Sequence, residues 1–154
     1  MTISIIEADL ENEAHASAII SITNAYAKDI MGGGKPLSAQ VRKTMISGMK
    51  SFPGTLVFLA KDEADFVGVA NCFMGYSTFF AKPLINIHDL AVLPKARGKG
   101  VGTKLIEAVT KKAMELDCCK VTLEVLENNP ARNLYEREGF EYGDPKYFFM
   151  SKYL

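Results

Sequence analysis

The residues best suited to chemistry are the run Arg97, Gly98, Lys99, Gly100, Val101, Gly102, Thr103, which follows the apolar stretch Leu90, Ala91, Val92, Leu93, Pro94 and leads into a long helical pattern. The first backbone amides of a helix have no partner within it and carry partial positive charge. A glycine-rich turn at that point is therefore a site for a phosphate-bearing ligand. The glycines let the phosphates approach the backbone, because no side chain stands in the way. The spacing RxxGxG at Arg97, Gly100 and Gly102 fits a pyrophosphate loop in mid-chain. The dinucleotide fingerprint GxGxxG is not met, since position 103 is Thr and three strand-like segments precede the motif where a doubly wound sheet would open with it. Glycines serving only a tight turn would leave Arg97 and Lys99 unexplained.

Other groupings carry less. The stretch GGGKPLS from Gly32 to Ser38 misses the P-loop order GxxxxGK[ST], because Pro36 follows Lys35 and no strong strand comes before it. It reads as a flexible surface connection, or as a mobile wall over a substrate pocket. Cys72, Cys118 and Cys119 form an odd set without a CxxC pair, and only His15 and His88 could join them. Neither a disulfide framework nor a metal site is expected, and a reducing cytoplasm is the expected setting.

The elements that position the glycine turn follow from periodicity. A chain of 154 residues with 48% hydrophobic and 23% charged side chains fits one domain over residues 1–154 with a true core. Lys+Arg and Asp+Glu are both 18, which gives no overall field for nucleic acid or an anionic membrane. The apolar runs are too short to span a bilayer, and the start of the chain does not read as a signal peptide. No nucleic-acid or membrane partner is expected.

Residues 2–8 alternate as a strand, and residues 16–30 place Ile19, Ile22, Tyr26 and Ile30 on one helical face. After the glycines, Ser38 caps a second helix lined by Val41, Met45, Met49 and Phe52. Residues 55–60, 66–76 and 84–92 suggest an antiparallel meander, and the helix after the glycine turn carries Val101, Leu105, Val109, Ala113 and Leu116 on its core stripe. Residues 121–126 alternate as a strand, and a short helix ends at Gly139. Residues 140–142 and 147–153 read as two closing strands around Gly143-Asp144-Pro145. The predicted order is β-α-α-β-β-β-α-β-α-β-β.

Two motifs, LAVLPKARGKGVG at residues 90–102 and NNPARNLYEREGF at residues 128–140, resemble the GNAT superfamily of acetyl-CoA-dependent N-acetyltransferases in order and spacing. The element order resembles that family's along nearly the whole chain, the N-terminal third in pattern only. The resemblance implies an α/β (α+β) fold, a mixed and mostly antiparallel sheet of about seven strands flanked by about four helices. It implies that the turn from Arg97 through Gly98, Lys99, Gly100, Val101 and Gly102 to Thr103 holds the pyrophosphate of acetyl-CoA. The backbone of Leu90, Ala91 and Val92 would pair with the pantetheine arm as an added strand, at an edge freed by a bulge.

Asn128 matches a cofactor-contacting Asn of the family, Asn133 is a further contact candidate, and Asn129 is better explained as a cap. Tyr135 matches the Tyr that protonates the departing thiolate; the other reading is a core aromatic. A thiol of pKa about 8.5 gives a thiolate that is a weak base beside a phenol near 10, so such a donor works mainly by stabilising developing charge in a dry site.

Acetyl transfer to nitrogen needs a neutral amine, and an amine of pKa about 10.4 is neutral only about once in a few thousand molecules at pH 7, a cost of about 5 kcal/mol. His88 stands four residues before Val92, where a diamine-acetylating branch of the family carries a Glu that handles the amine proton. An unperturbed imidazole, with pKa near 6.5, suits a base or a member of a water chain; the other reading is a strand His held by hydrogen bonds. Asp89 is the alternative base, although a regular strand points it to the opposite face. Tyr76, Phe79 and Phe80 resemble the same branch weakly, and Glu124 reads as a solvated face.

The expected activity is direct transfer of acetyl from acetyl-CoA to a primary amine of a small molecule. A protein or peptide amine acetyltransferase and a non-catalytic acetyl-CoA sensor are the alternatives. A homodimer is compatible with the family.

Overall fold

A computed structural model describes residues 2–154. Strand β1 (Ile3–Glu7) leads to helix α1 (Glu13–Lys28), whose N-cap Asn12 accepts from the Ala14 and His15 amides. A 3-10 turn (Ile30–Gly32) separates it from α2 (Ala39–Ser51), capped by Ser38 through the Val41 amide as its sequence predicts. Each such cap is worth about 1 kcal/mol. The chain continues through β2 (Thr55–Asp62), β3 (Asp65–Ser77), β4 (Lys82–Val92), α3 (Val101–Glu115), β5 (Val121–Leu123) and α4 (Arg132–Arg137).

The strands form one sheet in the order β1-β2-β3-β4-β5, antiparallel except for the parallel β4–β5 pair. Helix α3 covers one face, where Val101, Leu105, Ile106 and Val109 pack with Phe58, Ala70, Ile85 and Ile87. Helices α1 and α2 cover the other, where Ile19, Ile22 and Met49 meet Val57, Leu59, Val69 and Ala91. The stripe expected on α3 is buried from Val101 to Ala113, whereas Leu116 at the C-cap is 42% exposed.

The mixed α/β class, four helices and a mostly antiparallel sheet match expectation; the strand count does not. Among the described residues the sheet has five strands, because residues 140–142 and 147–153 enter no ladder. The aromatic side chains beyond Gly143 find no apolar surface of their own chain: Tyr147, Phe148 and Tyr153 are 90%, 91% and 92% exposed. Strand-forming residues cannot make a strand without a neighbour to take their backbone groups. Strand β5 is also shorter than predicted, ending at Leu123, for a reason that lies in β4.

The register between β3 and β4 slips by one residue: Asn71 faces Asp89 and Cys72 faces Ile87, so His88 is an extra residue on β4. This bulge reverses the alternation of side chains. Ile85 and Ile87 before it, and Leu90 and Val92 after it, all lie on the α3 side. It also bends the strand. Pairing with β5 covers only residues 85–87, and beyond the bulge β4 keeps β3 on one side and an open edge on the other.

Candidate active site

The open edge of β4 forms one wall of a cleft of 630 Å³. Leu90, Ala91 and Val92 line it, the turn contributes Arg97, Gly98, Gly100, Val101, Gly102 and Thr103, and the far wall is Asn129, Leu134 and Tyr135. Val92 is followed by a 3-10 turn (Pro94–Ala96), and Arg97 leads into the glycines. Gly98 and Gly100 have φ of +72° and +76°, a left-handed conformation that L side chains rarely adopt. At Gly102 a Cβ would stand 2.9 Å from Leu134 Cδ2, so any larger residue displaces that side chain on the far wall. Among the described residues the amides of Gly98, Lys99 and Gly100 have no hydrogen-bond acceptor. They adjoin the unpaired first turn of α3, so a run of free donors lies along the turn that borders the cleft, and this fits a pyrophosphate.

The positive side chains nearby have other partners. Arg97 donates from Nε to the Val92 carbonyl at 3.0 Å and from a terminal nitrogen to Asp29 Oδ2 at 3.3 Å. Lys99 Nζ donates to the Lys95 carbonyl at 2.7 Å. Arg97 thus ties the turn to the end of β4 and to the end of α1. Asp29 is held below the ordinary carboxylate range chiefly by the Met31 amide, with Arg97 adding to it. The groups left free at this turn are therefore those of its backbone.

Helix α4 presents Tyr135. Asn129 accepts from the Ala131 amide at 2.9 Å in the turn before it. Contrary to expectation it is not the cap, because the N-cap is Ala131, which makes no side-chain cap bond; Gly139 at φ +91° follows the end of the helix. The Tyr135 ring packs edge-on against Phe140 at 5.9 Å. Burial pushes its phenol up to about 12, with the nearby Tyr26 adding to the shift. It stays protonated at neutral pH, as a proton donor must. Asn128 and Asn133 are exposed and do not line the cleft.

On the α1 and α2 side, the bulge places both His88 and Asp89 on one face, which corrects the expectation from a regular strand. Asn71, only 3% exposed, donates from Nδ2 to Thr23 Oγ1 and to Asp89 Oδ2, both at 3.0 Å; its Oδ1 has no partner. Tyr26 lines the cleft, and its phenol is raised by burial, then by Asp89 and Asp29. His88 is exposed, outside the cleft lining, and packs edge-on against Phe73 at 5.7 Å. Glu124 is exposed and accepts from Asn86 at 3.2 Å.

Sequence reasoning missed Tyr26, which it placed on an apolar stripe. The available signal was a phenol in the last turn of a helix, where burial leaves its hydroxyl in need of a polar neighbour. It also left open whether the glycines at 32–34 make a loose connection or a wall. Ile30 and Met31 line the cleft, and Gly32 lies against α1 so closely that a Cβ would be 2.0 Å from the Tyr26 carbonyl. Gly33 and Gly34 are exposed and line no part of the cleft, so its wall here is Ile30 and Met31, and these two glycines lie at the surface.

The acetyltransferase (GNAT) family model matches residues 26–140. The chain belongs to the GNAT family. A GNAT relative, the uncharacterized N-acetyltransferase YhfO of Bacillus subtilis, is 28% identical over 133 residues, 82% of this chain and 83% of its own. A thialysine N-epsilon-acetyltransferase of Mus musculus is 37% identical over 71 residues, but these are 46% of this chain and only 41% of that protein. Among solved structures, an aminoglycoside acetyltransferase from an uncultured soil metagenomic sample, in complex with sisomicin, has the same fold. Its TM-score is 0.80 at 19% identity, covering 99% of this chain and 96% of that one. This GNAT chain is therefore an N-acetyltransferase, and its family uses acetyl-CoA as the acetyl donor. Among the described residues no helix is long and apolar enough to cross a membrane.

Proposed function

We propose that this enzyme transfers acetyl from acetyl-CoA to a primary amine of a small molecule, directly and without an acetylated residue of its own. The observation that carries the reading is the single cleft in which the open edge of β4, the glycine turn and the Tyr135 phenol meet. The turn amides from Gly98 to Thr103 bind the pyrophosphate, and Leu90 and Val92 offer backbone groups to the pantetheine arm. Asn128 and Asn133, which lie outside the cleft lining, contact the cosubstrate in this reading only on the strength of the family motif. Acetyl-CoA supplies an activated thioester carbonyl; the chain supplies position and protons.

Tyr135 donates its hydroxyl proton to the leaving sulfur, and the dry setting that raises its phenol is also what makes such a donor effective. The amine proton leaves toward the bulge, where His88 accepts it through water, with Asp89 the alternative acceptor. Cys72 is no nucleophile: burial, then Asp89, pushes its thiol up to about 12. The partial likeness to thialysine acetyltransferase supports an acceptor with an amine on a flexible alkyl arm. A thiol-release assay with acetyl-CoA against a panel of alkyl amines, aminoglycosides and peptides tests the reading. Release with small alkyl amines is expected, and release only with peptides would replace it.

A further inference from the structure

A short polar chain crosses the layer between the sheet and α1, which is otherwise built of Ile19, Ile22, Val57, Leu59 and Val69. Asn71 stands on β3 at the rung beside the register slip, opposite Asp89, and is only 3% exposed. Its Nδ2 donates at 3.0 Å to Thr23 Oγ1 on α1 and at 3.0 Å to Asp89 Oδ2 on β4, so one amide joins three elements.

Asn71 is a poor choice for stability. Its Oδ1 is the one buried side-chain oxygen or nitrogen without a partner among the described residues. A carbonyl taken from water and left unpaired costs more than a hydrogen bond returns, and a leucine of similar size would avoid that cost. Nor does the bulge depend on it. Ile85 and Ile87 before the slip and Leu90 and Val92 after it all pack on the α3 side, and that pattern fixes the register. What Asn71 does provide is a hold on Asp89. This carboxylate is half-buried, with no Lys, Arg or His partner among the described residues. Its charge reaches the cleft: Tyr26, three residues from Thr23 on the same side of α1, lines the cleft, and its phenol is raised by burial first and by Asp89 second.

We propose that Asn71 is a positioning residue for the acceptor amine, acting through Asp89. It fastens the carboxylate to α1 by way of Thr23, so that Asp89 keeps one orientation beside Tyr26 while the amine binds and loses its proton. This rests on the reading of the bulge as the acceptor side, and it holds whether His88 or Asp89 takes the proton. Stability is given up for a fixed charge, as a preorganised site requires.

Asn71→Leu removes the amide and the orphaned carbonyl together. Its Tm should equal or exceed the parent's and its KM for acetyl-CoA should stay within about twofold, while the KM for butylamine as acceptor should rise ~5-fold or more. In the Asp89→Asn background the same substitution should add less than about twofold, because the residue acts through the carboxylate that it holds. Thr23→Val should raise the butylamine KM in the same direction, and Thr23→Ser should restore it. An unchanged butylamine KM in Asn71→Leu overturns the proposal, as does a full further rise without the Asp89 carboxylate. A lowered Tm with both KM values altered alike makes Asn71 a core residue and overturns it too. Should butylamine not be acetylated at all, the reading of the reaction is what fails, and the hold is still measured at the Tyr26 phenol by carbon NMR. Asn71→Leu should lower its pKa as Asp89→Asn does, and a phenol unmoved by Asn71→Leu overturns the proposal.

Discussion

The two halves of the cleft are built on different principles. The donor half is a continuous stretch of chain, from Leu90 through Thr103, whose groups facing the cleft are largely backbone, and its side chains Arg97 and Lys99 are turned to Val92, Asp29 and Lys95. The proposed acceptor side has one residue in the cleft lining, Tyr26 of α1, with Thr23 of α1, Asn71 of β3, and His88 and Asp89 of the β4 bulge beside it. A backbone site needs only the right local conformation and tolerates a few residue types at a few positions. A side-chain site assembled across some 60 residues of sequence needs the whole fold to exist first, and it is free to change with the substrate.

The sharpest way to break this contrast is at the one side chain on the far wall that the donor half does require. Tyr135→Phe should lower kcat by ~100-fold or more while the affinity for acetyl-CoA changes less than threefold. Equal turnover would mean that the thiolate leaves without a donor. The same variant has a stability signature. The folded phenol titrates near 12 and a free one near 10. Its contribution is therefore whole below about pH 10 and lost as pH rises through 12. Between those values Tyr135→Phe should flatten the fall of Tm with pH seen in the parent, measured by thermal denaturation.

Next in size is the turn itself. Gly102→Val drives a branched side chain into Leu134, 2.9 Å from where its Cβ must sit, and also stands in the path of the phosphates. The KM for acetyl-CoA should rise ~10- to 100-fold with kcat less affected, because uniform binding is what is lost. Arg97→Gln should raise that KM only a fewfold, and should do so through lost order in the turn, since its guanidinium is engaged by Val92 and Asp29. If Arg97→Gln proves as damaging as Gly102→Val, the donor half is a side-chain site after all.

These differences explain what could be read from the sequence. Gly98, Gly100 and Gly102 each answer to a constraint that acts within a few residues or on one neighbour, so their spacing announces the turn. Ser38 caps α2 by the same local logic, and Asn129 accepts from the Ala131 amide in the turn before α4. The bulge at His88 is different: it is a slip in register between β3 and β4, and its mark in the sequence is only the change of phase from Ile85 and Ile87 to Leu90 and Val92, which a regular strand does not weigh. Regular alternation accordingly sent Asp89 to the wrong face. Tyr26 was hidden for a related reason, because one apolar helical stripe served both the core and the cleft. Residues 147–153 were legible as a strand by composition, yet a strand is a property of a pair, and among the described residues nothing pairs with them.

The smallest expected effects lie in the acceptor half, where two candidate bases stand side by side. His88→Gln and Asp89→Asn keep size and hydrogen-bonding reach while removing the proton acceptor, so their pH profiles of kcat/KM separate the roles. If His88 takes the amine proton, His88→Gln should lose the imidazole step from the acidic limb and cost ~10-fold at neutral pH, rescued in part at high pH where more amine is already neutral. Asp89→Asn should then act through position: it keeps the acidic limb and weakens the hold of Asn71, whose Nδ2 bridges Thr23 and Asp89 at 3.0 Å each. Acceptor KM would shift by a fewfold and the profile would keep its shape. The reverse outcome, an unchanged limb in His88→Gln and a lost one in Asp89→Asn, would move the base to the bulge residue that faces α1. It would also give the Tyr26 phenol, raised by burial and then by that same carboxylate, a place in the path of the proton.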